Sequence, residues 1–309
     1  MSDVVRRAAV LGHPIAHSLS PALHRAAYVA LGLTGWTYEA VDVTEEDLAA
    51  FVEGLDAHWA GLSLTMPLKQ AVLGLLDHVE PLAEVVGAVN TVLVQPVAGG
   101  RPGLVGANTD VHGIVAALRE GLVGCHAQDG PAIGTAVVLG AGATAASTLA
   151  ALAQLGCSTP TVFVRTMARA GATMRAAHRM GVEPRFLTFA PLDRVAAAMA
   201  GADVVVSTLP PHGADELANL LTQDDDGNRA AGARNGRVDG VLLDCAYDPR
   251  PTALGVAWQS RGGAFVSGER MLLHQAGEQV RLMTGRPAPL DAMERALAQA
   301  LAHEVPIQA

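Results

Sequence analysis

Two rhythms of apolar residues run along the chain, and they divide it. In the first third, short β-type runs alternate with stretches of helical period. AAVLG (8–12) reads as a strand. Ser20 and Pro21 open a helix through Leu31, because proline suits the first helical position after a good N-cap. TYEAVDV (37–43) alternates with period two, and a helix follows at 45–55. GLSLT (61–65) is another strand, and Pro67 begins a helix through Leu76. After a helix at 81–86, NTVLVQPVAGGRPGLVGANTD (90–110) places two β-rich runs around Gly99-Gly100 and Pro102-Gly103, as a hairpin does.

From about residue 111 the texture changes. TAVVLG, TVFVR, ADVVVSTLP, VLLDCAY and GAFVSG are short apolar, β-branched runs separated by helical stretches. Such runs predict parallel strands buried on both faces. Residues 122–134 and 223–240 are polar, glycine-rich and read as surface loops. The tail at 269–303 is helical, broken by TGRPAP (284–289). The pattern predicts an α/β protein of two domains. The first is an N-terminal α/β domain, 1–112, completed by the C-terminal helices at about 269–305. The second is a doubly wound Rossmann domain, 113–268.

Composition narrows the function. Half of the 309 residues are apolar, and the formal charge is −9, from 21 basic against 30 acidic residues. That balance argues against a general nucleic-acid surface, so an anionic ligand must be met by a local set of donors. Cys125, Cys157 and Cys245 are odd in number and lack CxxC spacing, which fits isolated thiols in a reducing compartment. No signal peptide or uninterrupted run of ~18 apolar residues is present. Eleven histidines show no ligand spacing, so no metal is expected. The expectation is a soluble cytoplasmic protein without nucleic-acid or membrane partners.

VVLGAGATAASTLAALAQLG (137–156) is a strand, a tight turn and an alanine-rich helix. Within it, Gly140-Ala141-Gly142-Ala143 and Ala145 form a GxGxxA pattern. In that context the glycines let a pyrophosphate approach the backbone, and the helix N-terminus supplies free N–H groups. An ordinary strand–helix turn is the other reading. At the end of the next strand, an NAD site places a carboxylate for the ribose 2′-hydroxyl. This chain has Arg165 and Thr166 instead, with Arg169 close behind. Two cations and a hydroxyl suit a 2′-phosphate, which predicts NADP(H); simple solvation of the arginines remains the alternative.

Three polar segments sit at the ends of elements. LTMPLK (64–69) puts Thr65 after a strand and Lys69 in a first helical turn, where the macrodipole disfavours a cation. Stability alone prefers glutamate there, so the misplacement points to use in proton transfer. GANTD (106–110) sets Asp110 at a helix start, a position aspartate also takes for capping. AVNT (88–91) places Asn90 before a strand. In GHPIAHSLSPALH (12–24), Ser20 caps a helix and Ser18 adds a second hydroxyl, which together make an anion site without arginine. Capping accounts for Ser20 equally well, but not for Ser18.

In order, GHPIAHSLSPALH, GLSLTMPLK, GAVNT, GANTD, GAGATA, LLDCAYDPRPTAL and SGERMLLHQA make the chain resemble the shikimate dehydrogenase family, from about residue 9 to 287. The resemblance implies a substrate-binding domain, a Rossmann NADP-binding domain, and reversible reduction of 3-dehydroshikimate to shikimate, in the route to chorismate and aromatic amino acids. It implies Lys69 and Asp110 as the catalytic pair. Ser18 and Ser20 hold the substrate carboxylate with Tyr247 nearby, and Thr65, Asn90, Asp110 and Gln275 contact the ring hydroxyls. Gly268 and Met271 lie near the nicotinamide, although Met271 suits a core equally. Departures from the family pattern are Ser63 and Val164, each in place of asparagine, STLP (207–210) in place of NATP, and Val280 in place of phenylalanine. The alternatives are a quinate/shikimate dehydrogenase using NAD, a non-catalytic NADP-binding homologue, and the related methylene-tetrahydrofolate dehydrogenase architecture. A monomer or homodimer is expected.

Overall fold

A computed structural model describes residues 5–98, 100–125, 133–223 and 238–303. Gly99 of the hairpin turn, and 126–132 and 224–237 of the two polar loops, lie outside the described residues. The chain forms two compact units, Met1–Thr109 with Leu272–Ala309, and Asp110–Met271. These junctions fall a few residues from the 112/113 and 268/269 boundaries read from the chain.

The first unit runs β1 (Arg6–Gly12), α1 (Ser20–Ala30), β2 (Trp36–Asp42), α2 (Leu48–Glu53), β3 (Trp59–Leu64) and α3 (Leu68–Ala71), which tightens into a 3-10 turn, Val72–Leu75. Then come β4 (His78–Val79), α4 (Pro81–Val86), β5 (Thr91–Gln95) and β6 (Gly103–Ala107). The sheet order is β2-β1-β3-β5-β6-β4. β1 is parallel to β2 and β3, while β5 is antiparallel to both β3 and β6. One edge of this sheet therefore gathers the carboxyl ends of β1, β3 and β6 and the start of β5. Alternation along β1 is visible in the packing. Ala9 and Leu11 join a core with Leu62, Leu64, Leu68 and Val92, while Ala8 and Val10 face Tyr28 and Tyr38.

The second unit opens with α5 (Asp110–Cys125). It continues through β7 (Ala136–Leu139), α6 (Ala143–Gln154), β8 (Thr161–Val164), α7 (Gly171–Met180), β9 (Arg185–Thr188), α8 (Leu192–Ala200) and β10 (Val204–Ser207). After α9 (Asp215–Gln223), β11 (Val241–Asp244), α10 (Ala253–Ser260) and β12 (Ala264–Ser267) complete it. The sheet is wholly parallel, ordered β12-β11-β10-β7-β8-β9. Its order reverses between β7 and β10, the point where a doubly wound sheet opens a ligand crevice at its carboxyl edge. α11 (Gly268–Thr284) begins in this unit and continues in the first, followed by α12 (Leu290–His303), which packs on α1. No helix among the described residues is long and apolar enough to cross a membrane.

Four local expectations change. The helix at 45–55 shortens, because the Thr44 hydroxyl donates to Asp47 Oδ2 (2.9 Å) and holds the chain there in a turn. The helix expected from Pro67 to Leu76 has a single α-turn, with Gly74 in the 3-10 segment that follows. Residues 122–125, read as loop, end α5. β9, absent from the sequence reading, is an edge strand whose terminal residues Arg185 and Thr188 are exposed.

Candidate active site

The edge of the first sheet gathers Ser18, Ser20, Thr65, Lys69, Asn90 and Thr109, with Asp110 next in the chain. Ser18 and Ser20 follow β1. The expectation that Ser20 caps α1 is corrected: Leu19 holds the cap position without a side-chain bond, and Ser20 is the first helical residue. The Ser20 N–H instead donates to Ser18 Oγ at 3.4 Å. Ser20 is buried.

Thr65 follows β3 and is drawn close to the end of β1, its N–H donating to Leu11 O at 2.9 Å. Only glycine fits beside it, since a Cβ on Gly12 would stand 2.3 Å from Thr65 Cγ2. Lys69 is half-buried in α3. Because α3 is one turn long, the macrodipole argument for a misplaced lysine loses most of its force. What fixes Lys69 is its carbonyl, which accepts the Val89 N–H at 2.8 Å and ties the turn to the segment carrying Asn90. Asp110 is buried (3% exposed) as the first residue of α5.

Asn90 and Gln275 are brought together. Asn90 Oδ1 accepts the Thr109 N–H (2.8 Å) and the Thr91 hydroxyl (2.9 Å), which turns Nδ2 towards Gln275 Oε1 (3.2 Å) and Thr109 Oγ1 (2.9 Å). A backbone N–H only donates, so this amide orientation is fixed. Gln275 Nε2 donates to Leu272 O at 3.1 Å.

Sequence reasoning missed the residues beneath this pair. One turn beyond Gln275, buried Gln279 donates to Asn90 O (3.2 Å) and Thr91 Oγ1 (3.0 Å). Its Oε1 accepts from the Ser63 hydroxyl (2.9 Å) and pairs with His24 Nε2 (3.2 Å). The Tyr38 hydroxyl donates to Ser63 Oγ at 2.7 Å, so the serine that stands in place of the family's asparagine is engaged in this network. Two glutamines four apart on the buried stripe of a helix were the available signal.

His24 stacks on Tyr38 with centroids 3.9 Å apart and is fully buried. Burial pushes its pKa down to about 3, against the hydrogen bond to Gln279 that raises it. It is therefore neutral when folded, with the proton on Nε2, whereas the unfolded chain protonates it below about 6.5. The unfolded state then binds more protons, so this contribution is complete above about 6.5 and fades as pH falls towards 3. Urea unfolding at pH 6.5 and 5.0 should show the native chain losing about 2 kcal/mol more than His24→Asn. Equal losses in the two proteins would mean that His24 titrates normally.

The second unit carries the other predicted residues on the carboxyl edge of its sheet. Gly140 has φ +111°, a region favouring glycine, and a Cβ there would meet Thr208 Oγ1 at 2.4 Å. Nothing lies within 4 Å of where a Gly142 Cβ would stand, so the backbone is open. No side chain caps α6, which starts at Ala143, and Ala141 O accepts the Thr173 hydroxyl at 2.7 Å. Arg165, Thr166 and Arg169 follow β8 and are all exposed, with no carboxylate among residues 161–172. An open glycine turn, an uncapped helix start and two exposed cations fit a dinucleotide with a 2′-phosphate.

Tyr247 is half-buried in the loop after β11. Burial holds the Asp244 carboxyl at the root of that loop above the usual carboxylate range, against hydrogen bonds from Thr252 and the Ala246 N–H. Gly268 is buried at the start of α11, and Met271 is 8% exposed. Neither Cys157 nor Cys245 is in a disulfide.

Comparison with known proteins gives concordant results. The family model described as the shikimate dehydrogenase substrate binding domain matches residues 10–92, and that of the shikimate 5′-dehydrogenase C-terminal domain matches 268–298. A shikimate dehydrogenase (NADP(+)) of Rubrobacter xylanophilus is 37% identical over 295 residues, covering 93% of this chain and 94% of that one. The crystal structure of Mycobacterium tuberculosis shikimate dehydrogenase has a TM-score of 0.78 at 40% identity, covering 95% of this chain and 99% of that one. The Thermus thermophilus enzyme in complex with NADP(H) and shikimate has a TM-score of 0.74 at 34% identity, covering 96% of this chain and 100% of that one.

Proposed function

The chain belongs to the shikimate dehydrogenase family, and from that premise we propose how its own residues perform the reaction. It catalyses the reversible NADPH-dependent reduction of 3-dehydroshikimate to shikimate, in the route to chorismate and the aromatic amino acids. It is an NADP-dependent oxidoreductase acting on a CH–OH group. When bound, NADPH supplies the hydride for the ketone carbon.

Ser18 and Ser20 hold the substrate carboxylate beside the start of α1, with Tyr247 contributing to the same end. The Ser20 N–H bond to Ser18 Oγ supports this role by holding the two serines side by side. Thr65, Asn90, Asp110 and Gln275 receive the ring hydroxyls. Lys69 donates a hydrogen bond to the carbonyl oxygen, stabilises the charge that develops there and hands over its proton. The Asp110 carboxylate orients the ammonium and the substrate oxygen; in the oxidative direction the pair accepts the hydroxyl proton. Gly140, Ala141, Gly142 and Ala143 offer backbone to the pyrophosphate, and Arg165, Thr166 and Arg169 offer donors to the 2′-phosphate. Gly268 and Met271 face the nicotinamide. The observation that carries the reading is that four separated motifs share one sheet edge, with Asn90 already bonded to Gln275.

The reading places the enzyme in the cytoplasm, as a monomer or homodimer acting on small molecules without nucleic acid, membrane or metal. Its net charge of −9 supports the first of these exclusions. Absorbance at 340 nm with purified protein, NADP⁺ or NAD⁺, and shikimate or quinate tests the whole. Shikimate with NADP⁺ is expected to give the highest kcat/KM of the four combinations. A preference for quinate with NAD⁺ would make the chain a quinate/shikimate dehydrogenase instead.

A further inference from the structure

We propose that Gln279 is a positioning residue for substrate binding: acting through Thr91, it supports a second donor to Asn90 Oδ1 and so steadies the amide whose facing the Thr109 N–H sets, and through it Gln275. The inference rests on the reading of Asn90 and Gln275 as substrate contacts. It begins from a question of need. Gln279 is 1% exposed, and burying a primary amide is costly unless all its groups are paired.

The backbone fixes the direction of the bonds at both ends of this chain of donors, at Asn90 O and at the Thr109 N–H. Asn90 O accepts only, so Gln279 Nε2 must face it and Oε1 must face Ser63 and His24. The second Nε2 hydrogen points at Thr91 Oγ1 and takes up a lone pair of that hydroxyl. The Thr91 proton is thereby directed to Asn90 Oδ1 at 2.9 Å. With Oδ1 occupied by Thr91 and by the Thr109 N–H, Asn90 turns its N–H groups towards Gln275 Oε1 and Thr109. Gln275 is left with Nε2 as the donor end of its amide.

Structural need alone does not account for Gln279. Asn90 O already accepts the Leu64 N–H at 2.8 Å, so the strand pairing survives without the glutamine. Ser63 keeps its bond from Tyr38, and Thr91 keeps a partner in Asn90. What is lost is the donor that occupies a Thr91 lone pair and favours the Thr91 proton on Asn90 Oδ1; the Thr109 N–H still sets which way the amide faces, so Asn90 is held less tightly rather than flipped. No ionised partner is involved, since His24 beside Oε1 is neutral.

The test is steady-state kinetics on the full chain with shikimate and NADP⁺. The variants are Gln279→Met, Thr91→Val and both together, with Asn90→Ala as reference. Each single variant should raise the shikimate KM roughly tenfold, the size of one hydrogen bond. Because both act through the same Thr91 hydroxyl, the double variant should lose no more than either alone. The NADP⁺ KM should stay within about twofold, a split that a general loss of structure does not produce. Thr91→Val removes a single hydroxyl, so it reports even if Gln279→Met fails to fold. A native shikimate KM in the Gln279 and Thr91 variants, with a raised one in Asn90→Ala, would overturn this inference alone. A native KM in Asn90→Ala would remove the substrate-contact reading beneath it.

Discussion

Lys69→Ala is expected to lower kcat by roughly 10²–10⁴-fold while changing the shikimate KM by only a few-fold, because the lost group acts on charge that appears in the transition state. The structure makes this a clean experiment. Lys69 is half-buried on a one-turn helix, and that turn is held by the Val89 N–H, which donates to the Lys69 backbone carbonyl at 2.8 Å. Truncating the side chain leaves that backbone bond in place. A drop in kcat with an unchanged unfolding midpoint assigns the loss to chemistry. Turnover near that of the native chain would remove Lys69 from the mechanism, and the proposed roles of Lys69 and Asp110 would need to be redrawn.

The parts of the fold legible in the sequence were those with a strong apolar signature. β7, β8, β10 and β11 are buried almost throughout and appear as short apolar runs rich in valine and leucine. β9 escaped because an edge strand keeps exposed arginine and threonine at its ends and has no such run. The residues that the sequence singled out for the candidate site lie at element boundaries, as Thr65, Asn90 and Asp110 do. Local hydrogen bonding was not legible. Nothing in SLSP tells that Leu19 occupies the cap and that the Ser20 N–H turns to Ser18 Oγ, since that choice is made by the path of the backbone after β1 rather than by residue type. Gln279 was invisible for a related reason. A glutamine in a helix reads as a solvent-facing residue unless something shows that its face is buried, and here that something is the start of β5, which lies nearly two hundred positions earlier.

The same dependence on context governs cofactor choice, where the sequence signal was an absence of carboxylate as much as a presence of arginine. Arg165 and Arg169 both stand exposed after β8, with Thr166 between them preceding a 3-10 turn it does not cap through its side chain. Replacing both arginines by alanine is expected to cut kcat/KM for NADP⁺ by roughly 10²-fold, the scale of two charge-assisted hydrogen bonds weakened by solvent. With NAD⁺, which has no 2′-phosphate, kcat/KM should stay within a few-fold of native. The discrimination should also be sensitive to salt. Raising ionic strength from about 0.05 to 0.5 M shrinks the screening length several-fold and should weaken NADP⁺ binding in the native chain far more than in the double variant. Parallel losses with both cofactors would show that the arginines support the fold after β8, and an unchanged NADP⁺ preference would return them to the role of solvated surface charge.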